Sequence, residues 1–180
     1  MSVFRVYVEK KAPFNIEAED CLKDLRGLVG VSALSSLRIL NRYDVEGIDE
    51  ELFARSIPIV FSEPQLDVLH SELPNADNVF AVEYLPGQFD QRAASCAECI
   101  QLLSCGEIPT VRSAKVYLLS GEISEKELAA IKKYLINPVD SREARHEKPD
   151  TLKQTYPSPP SVERIFGFRA LSKSDLPSFI

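Results

Sequence analysis

Cys96 and Cys99 stand at the Cys-x-x-Cys spacing that suits a dithiol redox couple or half of a zinc site. A redox pair of that kind needs its first cysteine at a helix N-terminus, where the dipole lowers the thiol pKa. Here both fall in the middle of a helical pattern, on or beside its apolar stripe, and no second cysteine pair or nearby histidine completes a tetrahedral zinc set. The spacing therefore predicts thiols used for packing. His70 and His146 are the only histidines, each among charged or polar residues and far in sequence from any cysteine, which reads as surface histidine rather than general base or ligand. Asp49-Glu50-Glu51 and Glu125-Lys126-Glu127 fall where helix first turns are expected, and carboxylates there complement the dipole. Seven glycines, none clustered, leave no glycine-rich phosphate loop.

Three polar stretches, residues 41–46, 87–92 and 137–142, mix Asn, Asp, Gln or Arg at the end of an expected element. That composition suits either capping or contact with a partner. The candidate contact residues are Arg42, Tyr43, Asp44, Gln88, Asp90, Arg92, Asn137, Asp140 and Arg142. None is assigned to catalysis, a cofactor or a metal.

The elements that position these stretches follow from periodicity. Phe80, Val82 and Tyr84 alternate with Ala81, Glu83 and Leu85, the period of a half-buried strand, and Pro86-Gly87 then suits a type II turn. Asp90 can cap the next helix, in which Ala93, Cys96, Ala97, Ile100 and Leu103 form one stripe. Val116 and Leu118 alternate with Lys115 and Tyr117 in another strand. Ser124 and Glu127 make a capping box, with Ile123 and Leu128 as its hydrophobic staple, and Pro138 ends that helix. A looser copy of the same order precedes it. Phe4, Val6 and Val8 form a strand, Ala18 to Val29 a helix stopped by Gly30, Leu37 and Ile39 a strand running through residues 41–44, and Asp49 with Phe53 a helix start interrupted at Pro58.

Phe4 corresponds to Phe80, Ile48 to Ile123 and Pro64 to Pro138, with strands expected at 66–69 and 139–145. This predicts an α/β (α+β) fold of tandem duplicated strand-helix-strand-helix-strand units, with mainly antiparallel sheets that pack or pair about a pseudo-twofold axis. Residues 1–75 form the first repeat and 76–147 the second. Together, 1–147 make one pseudo-dimeric domain, because each unit alone is too small to bury its helices and sheet. Residues 148–180 carry Lys148-Pro149, Tyr156-Pro157 and Pro159-Pro160 without apolar period, then Val162, Ile165, Phe166, Phe168 and Leu171 without a sequence partner. They read as a Pro-rich linker and the start of a truncated next domain.

The net charge of −6, with no lysine and arginine block interleaved with aromatics, argues against nucleic acid or an anionic membrane as main partner. No apolar run nears the roughly 20 residues that span a bilayer, and the N-terminus lacks the h-region of a signal peptide. A cytoplasmic setting with reduced thiols is expected.

Residues 40–47, 61–65, 80–92 (FAVEYLPGQFDQR), 114–117 and 135–139 closely resemble the N-terminal region of large, single-chain bacterial phosphoribosylformylglycinamidine synthases, and the resemblance covers nearly the whole chain. Such enzymes convert formylglycinamide ribonucleotide to formylglycinamidine ribonucleotide with ATP and glutamine, in purine biosynthesis. Their N-terminal domain resembles a dimer of the small separate subunit of shorter forms, and Val111-Arg112 with Lys115 and Asn137-Pro138-Val139 look like that subunit's motifs. The resemblance implies a non-catalytic scaffold within a glutamine amidotransferase and ligase. It would bridge the glutaminase and synthetase domains, its partners, and help keep ammonia from solvent. No cofactor is implied for this chain; ATP and Mg belong to the full-length enzyme. The glutaminase Cys-His-Glu set has no counterpart here, so Cys96 and Cys99 are not its nucleophile. The rival readings are a free-standing module that binds a small regulatory ligand at the junction of the two units, and a thiol enzyme built on Cys96 and Cys99.

Overall fold

The computed structural model describes residues 2–153 and 161–162. Six strands form one antiparallel sheet: β1 (Phe4–Lys10), β2 (Leu34–Glu46), β3 (Asp67–His70), β4 (Asn78–Tyr84), β5 (Thr110–Gly121) and β6 (Ser141–Ala144), in the order β3-β1-β2-β5-β4-β6. Among the described residues the four α-helices are α1 (Ile16–Gly27), α2 (Glu50–Ser56), α3 (Gln91–Ser104) and α4 (Glu125–Leu135). The two long strands β2 and β5 pair at the centre, so of the two expected arrangements the strands pair into one continuous sheet and do not pack as two.

Local chemistry places each helix. Asp49 accepts from the Leu52 amide and Asp90 from the Ala93 amide, which fixes the starts of α2 and α3. The Ser124 and Glu127 capping box is complete, and Ile123 and Leu128 pack in one apolar cluster beside it. Pro58 cannot continue the α ladder, so α2 stops after Ser56 and passes into a π-helical turn at Ile57–Phe61. Gly87, at φ 91°, completes the turn in which the Gln88 amide donates to the Leu85 carbonyl.

All four helices cover one face of the sheet. The registers put Phe4, Val6 and Val8 of β1 beside Tyr43 and Val45 of β2, where α2, the π-helical turn and α3 pack through Phe53, Phe61 and Ile100. On the same face, Leu37, Phe80, Tyr117 and Leu119 meet Leu25 of α1 and Ile131 of α4. The helix after β1 thus shares a cluster with the helix before β6, and the helix after β4 with the one before β3. The opposite face buries Tyr7, Leu40, Ala81, Val116, Leu118 and Ala144, with Leu73 and Ala76 packed against them.

The two halves of the sheet use matching registers. Tyr7 pairs with His70 as Ala81 pairs with Ala144, and Val8 with Asn41 as Val82 with Lys115. The loops match as well. The Lys11 amide donates to Leu66 as the Leu85 amide donates to Asp140, both at 2.8 Å, and the Asp67 and Ser141 amides return to Glu63 and Asn137, again both at 2.8 Å. In this register Phe80 stands in the place of Val6, not of Phe4, because β4 begins two residues earlier, at Asn78. The strands expected at 66–69 and 139–145 are β3 and β6, each four residues long and each on an edge of the sheet.

Residues 148–153, read as the start of a linker, return across the back of the sheet, where Leu152 is 3% exposed. The apolar residues Ile165, Phe166, Phe168 and Leu171 and the pairs at 156–157 and 159–160 lie outside the described residues. No helix among the described residues is long and apolar enough to cross a membrane.

Candidate functional site

The nine candidate contact residues divide between the two faces. Arg42, Tyr43 and Asp44 lie inside β2, not at its end: the strand runs on to Glu46, and all three are buried. Alternation sends Tyr43 to the helix face and Arg42 and Asp44 to the back.

On the helix face an open groove of about 870 Å3 is floored by Asn41, Tyr43, Ser113 and Lys115 and walled by α3 and the π-helical turn. Arg92 donates to the Tyr43 hydroxyl at 3.1 Å, and Lys115 is ion-paired with Glu17 of α1. Asp90 caps α3 and also accepts from the amide and hydroxyl of Ser113, tying the helix start to β5. Asn137 accepts from the Val139 amide and donates to Asp140, so this stretch closes its own loop at the groove edge. Gln88 is exposed on the turn before α3. Capping is therefore what Asp90 and Asn137 do within this chain.

Burial holds two thiols, Cys96 at the groove and Cys21 of α1, in the neutral form. Desolvation pushes Cys96 up to about 11 against the opposing pull of Arg92, and Cys21 likewise up to about 11. Cys99, expected to pack with Cys96, is instead exposed, one helical turn on from Cys96 and just off the buried stripe. Neither arrangement provides the electropositive setting that makes a thiolate nucleophile. Among the described residues, no three His, Cys, Asp or Glu side chains gather as a metal cage.

The back of the sheet carries a network that alternation alone does not announce. Arg5 grips Asp44 through two bonds of 2.5 and 2.9 Å, and Arg42 Nε lies 3.3 Å from the same carboxylate. The side chains of Arg5, Arg42 and Asp44 are 8%, 7% and 4% exposed. These guanidiniums then reach across to residues 145–153, the strap. Arg5 donates to the His146 carbonyl at 2.6 Å, Arg42 to Arg145 at 2.7 Å and Arg112 to Leu152 at 2.5 Å. Glu46 accepts from the Leu152 amide at 2.7 Å and from the Thr151 hydroxyl. Arg142 pairs with Glu83 at 2.8 Å on the same side. Burial lowers the Arg42 pKa, with Asp44 opposing the shift. A buried guanidinium left without acceptors costs about 1–3 kcal/mol per open donor group, so the strap carbonyls are part of what makes this face tolerable.

His70 is not the isolated surface residue its neighbours in sequence suggest. Its Nε2 lies 2.9 Å from Glu9, which also receives a two-point contact from Arg38. The partners are 61 and 29 residues apart, so no local pattern announces them. His146 is exposed and contributes its backbone carbonyl to Arg5.

The chemistry supported by these two faces is recognition and positioning: hydrogen-bond donors and paired charges, with the Cys21 and Cys96 thiols held neutral. No protein-family profile matches the chain, and no curated protein sequence matches it significantly.

Proposed function

We propose that this chain is a non-catalytic scaffold domain of a phosphoribosylformylglycinamidine synthase, built from two duplicated units, 1–75 and 76–147, about a pseudo-twofold axis. It bridges the glutaminase and synthetase domains and helps ammonia pass between them. The observation that carries the reading is the reuse of strand registers and loop hydrogen bonds in the two halves. A pseudo-dimer of a small subunit requires that reuse, and few residue identities accompany it. The thiols held neutral by burial agree with a role outside the chemical step. The contact surface lies at the exposed or half-buried members of the candidate set, Gln88, Asp90, Arg92, Asn137, Asp140 and Arg142. Arg42, Tyr43 and Asp44 support it from beneath.

The test is made in a full-length synthase carrying this domain. Replacing Gln88, Asn137, Asp140 and Arg142 together lowers glutamine-driven turnover and leaves ammonium-driven turnover unchanged. Equal glutamine-driven turnover in the two enzymes rules out the contact assignment.

The groove of about 870 Å3 at the junction of the halves favours a second reading, a free-standing module that binds a small regulatory ligand there. Thermal stabilisation of the chain alone by a purine nucleotide or an amino acid supports that reading.

A further inference from the structure

We propose that the cleft between the strap and the back of the sheet binds a small oxyanion, either phosphate itself or the phosphate group of a small metabolite. The cleft encloses about 530 Å3, within the range of small-ligand pockets. Six cationic side chains line it: Arg5, Arg42, Arg112, Arg142, Arg145 and Lys148. Five carboxylates also line it, but Glu143 is held by Lys132 from the helix side. Six positive groups therefore face four negative ones, Asp44, Glu83, Glu147 and Asp150. Asp44 is engaged by Arg5 and Glu83 by Arg142, so neither carboxylate stands unpaired toward an incoming anion. An excess of guanidinium and ammonium charge in a partly enclosed space is the setting in which charge-assisted bonds to oxyanions are strongest.

The second observation lies at the cleft floor. Arg42 is 5% exposed, and its buried Nε has no hydrogen-bond acceptor among the described residues. Asp44 is near enough for an ion pair, at 3.3 Å, but lies off the donor's direction, and Glu83 stands 3.9 Å from Nη2. Buried donors of this kind are as a rule satisfied by protein, water or a bound ion. The strap supplies Arg145 and Lys148 and the sheet supplies Arg112 and Arg142, so an anion between them joins strap to sheet. Occupancy then stiffens the path by which the chain leaves the domain. This inference stands on the cleft alone and does not depend on the scaffold reading.

The test uses the full 180-residue chain. Inorganic phosphate and glycerol 3-phosphate are titrated separately by calorimetry at an ionic strength fixed with sodium chloride, and amide exchange in the strap is followed in parallel. Saturable binding is expected, with slower exchange at the Leu152 amide. The double variant Arg145→Gln/Lys148→Gln, altered at two exposed strap positions, weakens binding about tenfold or more, and Glu147→Gln tightens it. Tighter binding of glycerol 3-phosphate assigns the site to a metabolite, and tighter binding of inorganic phosphate assigns it to the free ion. The proposal is overturned if neither probe gives saturable heat, as a cleft filled by water alone requires. It is equally overturned if the double variant binds as the parent does.

Discussion

Replacing Asp44 with Asn removes the one carboxylate that two nearly buried guanidiniums share. The change is close to isosteric, so packing is retained and the electrostatic loss stands out. Asp44 accepts two bonds from Arg5, and bonds to charged groups contribute about 1.5–3 kcal/mol each. The variant leaves Arg5 and Arg42 facing an amide that presents donors of its own, in a place 4% exposed. Breaking a buried ion pair by removing one partner costs roughly 3–5 kcal/mol. For a domain of this size that lowers Tm by roughly 6–20 °C. Urea denaturation at pH 7 measures the loss. Asp20→Asn serves as control, because the Lys23–Asp20 pair is 72% and 62% exposed and solvent screening leaves such a pair contributing little. Amide exchange across the strap reports the second consequence: Leu152 exchanges faster in Asp44→Asn as Arg5 and Arg42 lose their anchor. A loss below about 1 kcal/mol, or one equal to that of Asp20→Asn, refutes the claim that this buried network holds the back of the sheet.

Gly121 sits at φ 137° beside the β2–β5 irregularity, where a Cβ would lie 2.3 Å from the Ala33 carbonyl oxygen. Gly121→Ala therefore costs roughly 3 kcal/mol. Gly27→Ala, with open space around it at the end of α1, stabilises by about 0.5 kcal/mol; denaturant midpoints of the pair check both signs. Burial raises the Glu9 carboxyl, but hydrogen bonds from Arg38 and His70 outweigh it, and the folded group ionises below its ordinary value. Its contribution is thus fully present above the unfolded pKa and is lost as pH falls through the lower folded one. Glu9→Gln flattens the decline in stability on the acid side of about pH 4.5, and unchanged slopes there contradict the assignment. With Cys21 and Cys96 pushed up to about 11 and Cys99 and Cys105 exposed, two thiols alkylate quickly at pH 8 and two slowly. Peptide mapping identifies them, and rapid labelling of Cys96 would restore the thiol-enzyme reading.

The parts of the fold legible in the sequence are those set by neighbours along the chain. The Ser124 box, the Asp49 and Asp90 caps, the break at Pro58 and the turn at Gly87 each depend on residues within four positions of one another. The apolar stripes of α1, α3 and α4 were equally plain. What escaped depends on contacts between distant residues. The second strand is legible through 41–44, but the burial of Arg42 and Asp44 is not, because it depends on Arg5, separated by 39 positions, meeting Asp44 on the covered back face. The strap reads as linker because its own composition is polar; what docks it on the sheet is the set of arginines on β1, β2 and β5 that donate to its carbonyls. Matching the halves by residue type aligned Phe80 with Phe4, whereas hydrogen bonding aligns it with Val6. His70 finds Glu9 only once β3 pairs with β1.

The most direct test of the scaffold account is reconstitution: the chain is added to a phosphoribosylformylglycinamidine synthase lacking its own N-terminal domain, and glutamine-driven turnover is compared with ammonium-driven turnover. The account predicts that glutamine-driven activity returns while ammonium-driven activity changes little. Recovery of both to the same degree, or of neither, would contradict a role in coupling the two active sites.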